Sequence, residues 1–356
     1  MTNVQKLQST LCATDAALIL DPYNRAYYSG MESSEGAVIV FCDRAWFYTD
    51  FRYISDARRS VRDMEVCLLS EPVSEVFARL AGESGVNRVF YEEKFVTCAM
   101  FEALRKGCPN MEFAAGSDMI ASPRAVKSDE ELGLICAAQD IADKGFDYIC
   151  GFIRDGRSRG ITEKQIALEL EYFLRRSGSG RMPFDIICAS GPNSACPHAV
   201  PTDRQIRDGD FITLDYGCSV GGYCSDMTRT VAVGSVSDRM REIYQLVLQA
   251  QQRAMSVINA GVDGRDVDAA ARELFRSEGL AEYFGHSLGH SVGLYIHEEP
   301  CFSPSRSQII PQGAVISVEP GLYFDGQFGV RIEDIVCVTA EGLLDLASSP
   351  KDLLEL

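Results

Sequence analysis

Four carboxylates sit inside runs of apolar, β-forming residues, and this placement restricts the fold more than any other feature of the chain. Asp215 lies in Phe211-Ile212-Thr213-Leu214-Asp215-Tyr216-Gly217, and Asp226 follows eleven residues later, through a turn containing Gly217, Gly221 and Gly222, in the run that continues to Val233. Glu319 ends Val315-Ile316-Ser317-Val318, and Glu333 comes fourteen residues on, within Gly329-Val330-Arg331-Ile332-Glu333-Asp334-Ile335. A carboxylate taken out of water is costly unless a cation or a set of donors meets it. The strands must therefore bring these acids to shared cations, either arginines, for which Arg229 and Arg331 are available, or metal ions. Each spacing predicts a hairpin with its two acids side by side.

The 356 residues exceed the roughly 250 that one hydrophobic core usually serves, so two domains are expected. Short β-rich stretches at Ala37 to Phe41 and Ala45 to Tyr48 lead into helix–strand alternation as far as Phe113, which reads as an α/β domain over residues 1–122. Pro123 then precedes Ser128-Asp129-Glu130-Glu131, a capping box in which Ser and Glu satisfy each other's backbone amides. A long helix with Leu132, Ile135, Ala138, Phe146 and Ile149 on one face opens the second domain, 123–356. A second helix capped by Thr162 and Gln165 follows, then strands at 184–190, 211–216 and 223–233. The order recurs as helices from Ser237 to Asn259 and Val267 to Phe275, with strands at 315–318 and 329–338. Two helices followed by paired strands, used twice, predict a pseudo-repeat with a cleft between its halves.

Composition narrows the function. Hydrophobic residues make up 46% and charged residues 24%, as in soluble globular proteins. A net charge of −17 argues against nucleic acid and anionic membranes as partners. No apolar run approaches the ~20 residues that span a bilayer, and the first thirty residues lack a signal-peptide pattern. Thirteen cysteines with no CxxC pair read as reduced thiols of a cytoplasmic protein rather than a disulfide framework.

The histidines are His198, His286, His290 and His297, and three of them fall within twelve residues. His290 added to Asp215, Asp226, Glu319 and Glu333 gives a donor set dominated by oxygen. It suits two divalent cations such as Mn(II) or Co(II) better than one structural zinc. Strand parity places Thr228 on the face of Asp226 and Arg331 on that of Glu333. A rival reading arises because Gly285 to Gly289 and Gly289 to Gly293 both match the G-x-S-x-G elbow of serine hydrolases. Only His297 follows those serines, and no acid separates Ser287 from His297, so the required order of serine, acid and histidine fails.

The chain resembles the pita-bread metallopeptidases that include aminopeptidase P and Xaa-Pro dipeptidase (prolidase). The resemblance rests on the stretch from His286 to Glu298, on Val318-Glu319-Pro320-Gly321, on Val330-Arg331-Ile332-Glu333-Asp334, and on Phe184-Asp185-Ile186-Ile187 leading to Ser190-Gly191-Pro192-Asn193 and Pro197-His198. Tyr28-Ser29-Gly30 and Tyr48-Thr49-Asp50-Phe51-Arg52-Tyr53 match the family's non-catalytic amino-terminal domain. The fold implied is a small creatinase-like α/β domain followed by a pita-bread domain of α/β (α+β) class with a pseudo-two-fold repeat.

The same resemblance implies that Asp215, Asp226, His290, Glu319 and Glu333 hold two metal ions, with Asp226 and Glu333 bridging. It makes Glu319 the proton shuttle, and it places His198 and His297 on the substrate and the oxyanion. His286 is expected on the proline side of the cleft, and Arg331 orienting Glu333 or contacting substrate. The implied reaction is hydrolysis of the bond between an amino-terminal residue and proline in small peptides, and the implied assembly is a homodimer. Methionine aminopeptidases share the five ligands, and the metal-free creatinase branch or an inactive binding module shares the fold. Cys301 stands where many relatives carry an arginine that can hold a dipeptide's carboxylate, so the sequence points toward acceptance of longer Xaa-Pro peptides.

Overall fold

A computed structural model describes all 356 residues, Met1–Leu356. The chain divides into two compact units, Met1–Arg124 and Ala125–Leu356. No helix is long and apolar enough to cross a membrane.

In the first unit the elements run α1 (Asn3–Gln8), β1 (Asp15–Ile19), α2 (Pro22–Ser29), β2 (Ala37–Phe41), β3 (Ala45–Thr49), α3 (Ile54–Ser60), β4 (Glu65–Leu68), α4 (Val73–Ser84), β5 (Arg88–Tyr91), α5 (Cys98–Gly107), β6 (Glu112–Ala115) and α6 (Ser117–Ala121). The six strands form one sheet in the order β4-β3-β2-β1-β5-β6. Its centre is an antiparallel meander, β1 to β3, and parallel strands extend it on both sides. Every residue of β1, β2 and β3 is buried, as their continuous apolar runs demand of strands covered on both faces. The charged exception is Asp15, which meets the Arg88 guanidinium in a two-pronged contact at 2.8 and 2.9 Å.

The second unit opens with α7 (Asp129–Gly156), begun by the expected capping box: the Glu131 amide donates to Ser128 Oγ, and the Ser128 amide donates to the Glu131 carboxylate at 2.7 Å. Its first half continues with α8 (Glu163–Arg176), β7 (Ile187–Ser190), β8 (Phe211–Tyr216), β9 (Ser219–Val220), β10 (Tyr223–Cys224) and β11 (Met227–Ala232). The second half comprises α9 (Asp238–Met255), α10 (Gly264–Ser277), β12 (Gly289–Ser291), β13 (Glu298–Phe302), β14 (Val315–Val318), β15 (Gly321–Phe324), β16 (Phe328–Arg331), β17 (Asp334–Thr339) and β18 (Gly342–Asp345). Each half has its own apolar core. Phe146, Ile149, Leu170 and Leu174 pack under Ile212 and Val231 in the first, and Val247 and Phe275 pack under Ile316 and Val336 in the second.

The repeat is closer than helix order alone suggests. In the first half β8 pairs with β11, and the β9–β10 ribbon is inserted between them; in the second β14 pairs with β17, with the β15–β16 ribbon inserted. Three expectations change in consequence. The continuous strand expected over 223–233 breaks at Ser225-Asp226, and the one over 329–338 breaks at Ile332-Glu333. Both acids thus sit where the chain leaves a two-stranded ribbon and joins the main sheet. The acids also do not face each other as hairpin partners, since Asp215 lies opposite Thr228 and Val318 lies opposite Asp334. Finally, only Ile187–Ser190 of the 184–190 run is strand. The halves join edge to edge where Thr228 bridges Glu333, the Glu333 amide donating to the Thr228 carbonyl at 3.0 Å.

Candidate active site

All nine residues singled out in the sequence line one cleft of ≈ 260 Å3: His198, Asp215, Asp226, His286, His290, His297, Glu319, Arg331 and Glu333. Phe184, Ile187 and Ile296 give it an apolar wall. The first half supplies Asp215 from β8 and Asp226 from the break before β11. The second supplies His290 from β12, Glu319 from the end of β14 and Glu333 from the break before β17. Strands β12 and β14 approach closely, since a Cβ at Gly289 would overlap the Ser317 carbonyl oxygen. That approach sets His290 Nε2 at 3.4 Å from Glu319 Oε1 and 3.7 Å from Asp226 Oδ2. Asp226, His290 and Glu333 each offer a ligand atom within 4.8 Å of the others.

Among the cleft's lysines and arginines Arg331 stands alone, and its guanidinium is spent on the walls. It donates to Asp215 Oδ2 at 2.5 Å, Thr228 Oγ1 at 3.1 Å, Tyr323 Oη at 2.8 Å and the Pro197 carbonyl at 3.3 Å. Arg331, expected beside Glu333 from strand parity, instead makes its ion pair with Asp215, in the other half. Glu333 receives the Thr228 hydroxyl at 2.6 Å. The second arginine considered, Arg229, is paired with Asp334 at 2.6 Å and touches none of the four acids through its side chain except by donating to the Glu333 backbone carbonyl.

Burial first and neighbouring carboxylates second push Asp226 and Glu333 well above the ordinary carboxylate range. Burial lifts Glu319 to about 8, against the pull of Arg331. Asp215 Oδ1 is buried without a hydrogen-bond partner. Four converging carboxylates, one bare oxygen and a single imidazole form a site whose negative charge one arginine does not balance. The donor set fits divalent cations of hard to borderline character.

His286 donates from Nδ1 to the Ser287 carbonyl at 2.8 Å, which leaves Nε2 to accept from the Tyr323 hydroxyl at 2.9 Å. Tyr323 in turn accepts from Arg331, and the chain of bonds agrees with a His286 pKa depressed by burial and by Arg331 to about 4. His198 and His297 are exposed at the cleft, the His297 ring centroid lying 4.4 Å from that of His290. Sequence reasoning missed Tyr323, which carries no local signal beyond its place three residues after Pro320. The Ser287 hydroxyl donates to Ser303 and that of Ser291 to the Pro300 carbonyl, so neither addresses a histidine as a nucleophile would. Cys301 is buried with its thiol 3.2 Å from Gln308 Oε1 and does not line the cleft.

Comparison with known proteins follows the division of the chain. Residues 133–340 match metallopeptidase family M24, and residues 4–126 match the creatinase/prolidase N-terminal domain. The chain is 34% identical over 341 residues to a Xaa-Pro dipeptidase of Pyrococcus furiosus, covering 96% of this chain and 95% of that protein. Among solved structures, a Xaa-Pro dipeptidase from Bacillus anthracis superposes with a TM-score of 0.94 at 38% identity, covering 99% of each chain. An X-Pro aminopeptidase from Thermotoga maritima does so with 0.89 at 33% identity, covering 99% of this chain and 100% of that one.

Proposed function

This chain belongs to metallopeptidase family M24, and from that premise we propose that it hydrolyses the peptide bond between an amino-terminal residue and proline in short peptides. The observation that carries the proposal is the convergence of Asp226, His290 and Glu333 within 4.8 Å in a cleft that Phe184, Ile187 and Ile296 also line, an apolar surface suited to a pyrrolidine ring. Asp215, Asp226, His290, Glu319 and Glu333 would hold two divalent cations, Mn(II) or Co(II), with Asp226 and Glu333 shared. When bound, such ions polarise the scissile carbonyl and acidify water.

The chain's own residues do the rest. Glu319, within reach of the Ser317 hydroxyl at 3.2 Å, takes the proton of the attacking water and returns it to the departing proline nitrogen. His198 and His297 steady the peptide and the developing oxyanion. His286, kept neutral by burial and by Arg331 and held by Tyr323, forms part of the pocket for the proline ring. Arg331 acts through Asp215 and Tyr323, because its guanidinium is only 4% exposed.

Substrate length follows from the same inventory. A strict dipeptidase must meet a free carboxylate, the Arg331 guanidinium is already engaged, and Cys301 faces Gln308. We read the enzyme as accepting Xaa-Pro-Xaa peptides as well as dipeptides. The test is a panel of Xaa-Pro, Xaa-Pro-Xaa, amidated Xaa-Pro and Xaa-Ala peptides. Cleavage should require proline and survive amidation. Cleavage of free dipeptides alone would overturn the reading of length, and equal cleavage of Xaa-Ala would overturn the proline assignment.

A further inference from the structure

His198 reaches the cleft on the loop 191–201, between β7 and the segment leading to β8, and its own side chain is exposed. What holds that loop in place lies one layer deeper. Glu163, at the start of α8, is completely buried, and its two carboxylate oxygens divide the loop's ends between them. Oε1 accepts from the Ser190 amide at 2.6 Å and the Ser190 hydroxyl at 2.7 Å. Oε2 accepts from the Thr202 amide at 2.9 Å and the Thr202 hydroxyl at 2.7 Å, and from Asn193 Nδ2 at 2.9 Å. Arg204 secures the same corner, donating to Ser190 Oγ at 2.6 Å while forming a two-pronged pair with Asp210.

A buried carboxylate is expensive, and five donors offset that cost only because all of them converge on it. No neutral side chain offers two acceptor oxygens with capacity for five donors. The loop's middle is tied separately to the second half: the Gly329 amide donates to Ser194 Oγ at 2.9 Å, and Arg331 donates to the Pro197 carbonyl. The loop's ends are thus drawn to one carboxylate and its middle is held against β16.

We propose that Glu163 is a positioning residue for the reaction, a clasp that closes the loop 191–201 and sets His198 over the cleft. This rests on the role given to His198 above. Glu163→Gln preserves shape but turns an NH2 group toward the donors of Thr202 or Ser190. It should lower kcat/KM on Xaa-Pro peptides by about ten- to a hundred-fold through misplacement of His198, with metal content unchanged. In the His198→Ala background the same substitution should cost nothing further, because the group it positions is gone. With four histidines in the chain, imidazole NMR gives a second readout: Glu163→Gln should shift the His198 resonance and leave that of His286 in place. Where Glu163→Gln fails to fold, Thr202→Val removes one donor and should show a smaller loss, about three-fold, again absent without His198. Equal losses in both backgrounds, or unchanged kcat/KM in folded Glu163→Gln, would overturn the clasp alone. A silent His198→Ala would remove the role of His198 and the clasp with it.

Discussion

Replacing Arg229 by methionine should be among the most damaging single changes to the second unit, though Arg229 lies outside the cleft. A guanidinium has five N–H groups, and all five are used here. Nε donates to the Pro350 carbonyl at 3.0 Å, one terminal nitrogen to the Thr228 and Glu333 carbonyls at 3.0 and 2.6 Å, and the other to Asp334 Oδ1 at 2.6 Å and the Ser349 carbonyl at 2.9 Å. Methionine fills similar volume, so the loss is electrostatic. Asp334 keeps Lys351 at 2.6 Å and Gln251 at 2.9 Å on its other oxygen, but Oδ1 and the Glu333 and Ser349 carbonyls lose this donor in a buried setting. Breaking a buried pair from one side costs about 3–5 kcal/mol. For a unit of this size each kcal/mol moves Tm by about 2–4 °C, so the melting transition should fall by roughly 6–20 °C. Circular dichroism or calorimetry reads this directly. A variant melting within about 2 °C of the parent would refute the assignment of these bonds as a stabilising hub.

Chelation should abolish peptidase activity and Mn(II) or Co(II) restore it, while Ser287→Ala and Ser291→Ala remain active; a dead serine variant that still binds two metals would revive nucleophilic serine chemistry. Asp226→Asn and Glu333→Gln should lose bound metal by elemental analysis, whereas His198→Ala retains it, and full occupancy in both carboxylate variants would take them off the ligand list. In the first unit, Arg88 holds the Asp15 carboxyl below its ordinary pKa of 3.8 through their hydrogen bonds. A depressed folded pKa stabilises at pH above the unfolded value and is lost as pH falls through the folded one. Arg88→Met should therefore flatten the acid limb of that unit's stability profile below pH ~4, and an unchanged limb would show that the pair contributes nothing to it.

What could be read in the sequence was local or patterned. Ser128 and Glu131 announced α7 because both partners of a capping box lie within one helical turn. Acids in apolar strands announced the cleft because burial of charge is anomalous wherever it occurs. What could not be read depends on pairing between residues about a hundred positions apart. Parity put Arg331 with Glu333, yet the edge-to-edge meeting of the halves gives Arg331 to Asp215 and gives Glu333 to Thr228. The breaks at Asp226 and Glu333 were hidden because Tyr223 to Val233 and Gly329 to Val338 are β-forming throughout, and only the insertion of ribbons interrupts them. Glu163 looked like any first-turn helix acid, since its five donors lie on residues 190 to 202.

The bridge between Thr228 and Glu333 has a consequence for how the enzyme comes into being. Of the five proposed ligands, two belong to the first half and three to the second, so a chain emerging from the ribosome with only its first half folded presents Asp215 and Asp226 without His290, Glu319 or Glu333. Such a fragment would hold only two of the five proposed ligands. The bridge that lays Glu333 against Thr228 therefore joins the two halves at the same place where the proposed ligand set is completed.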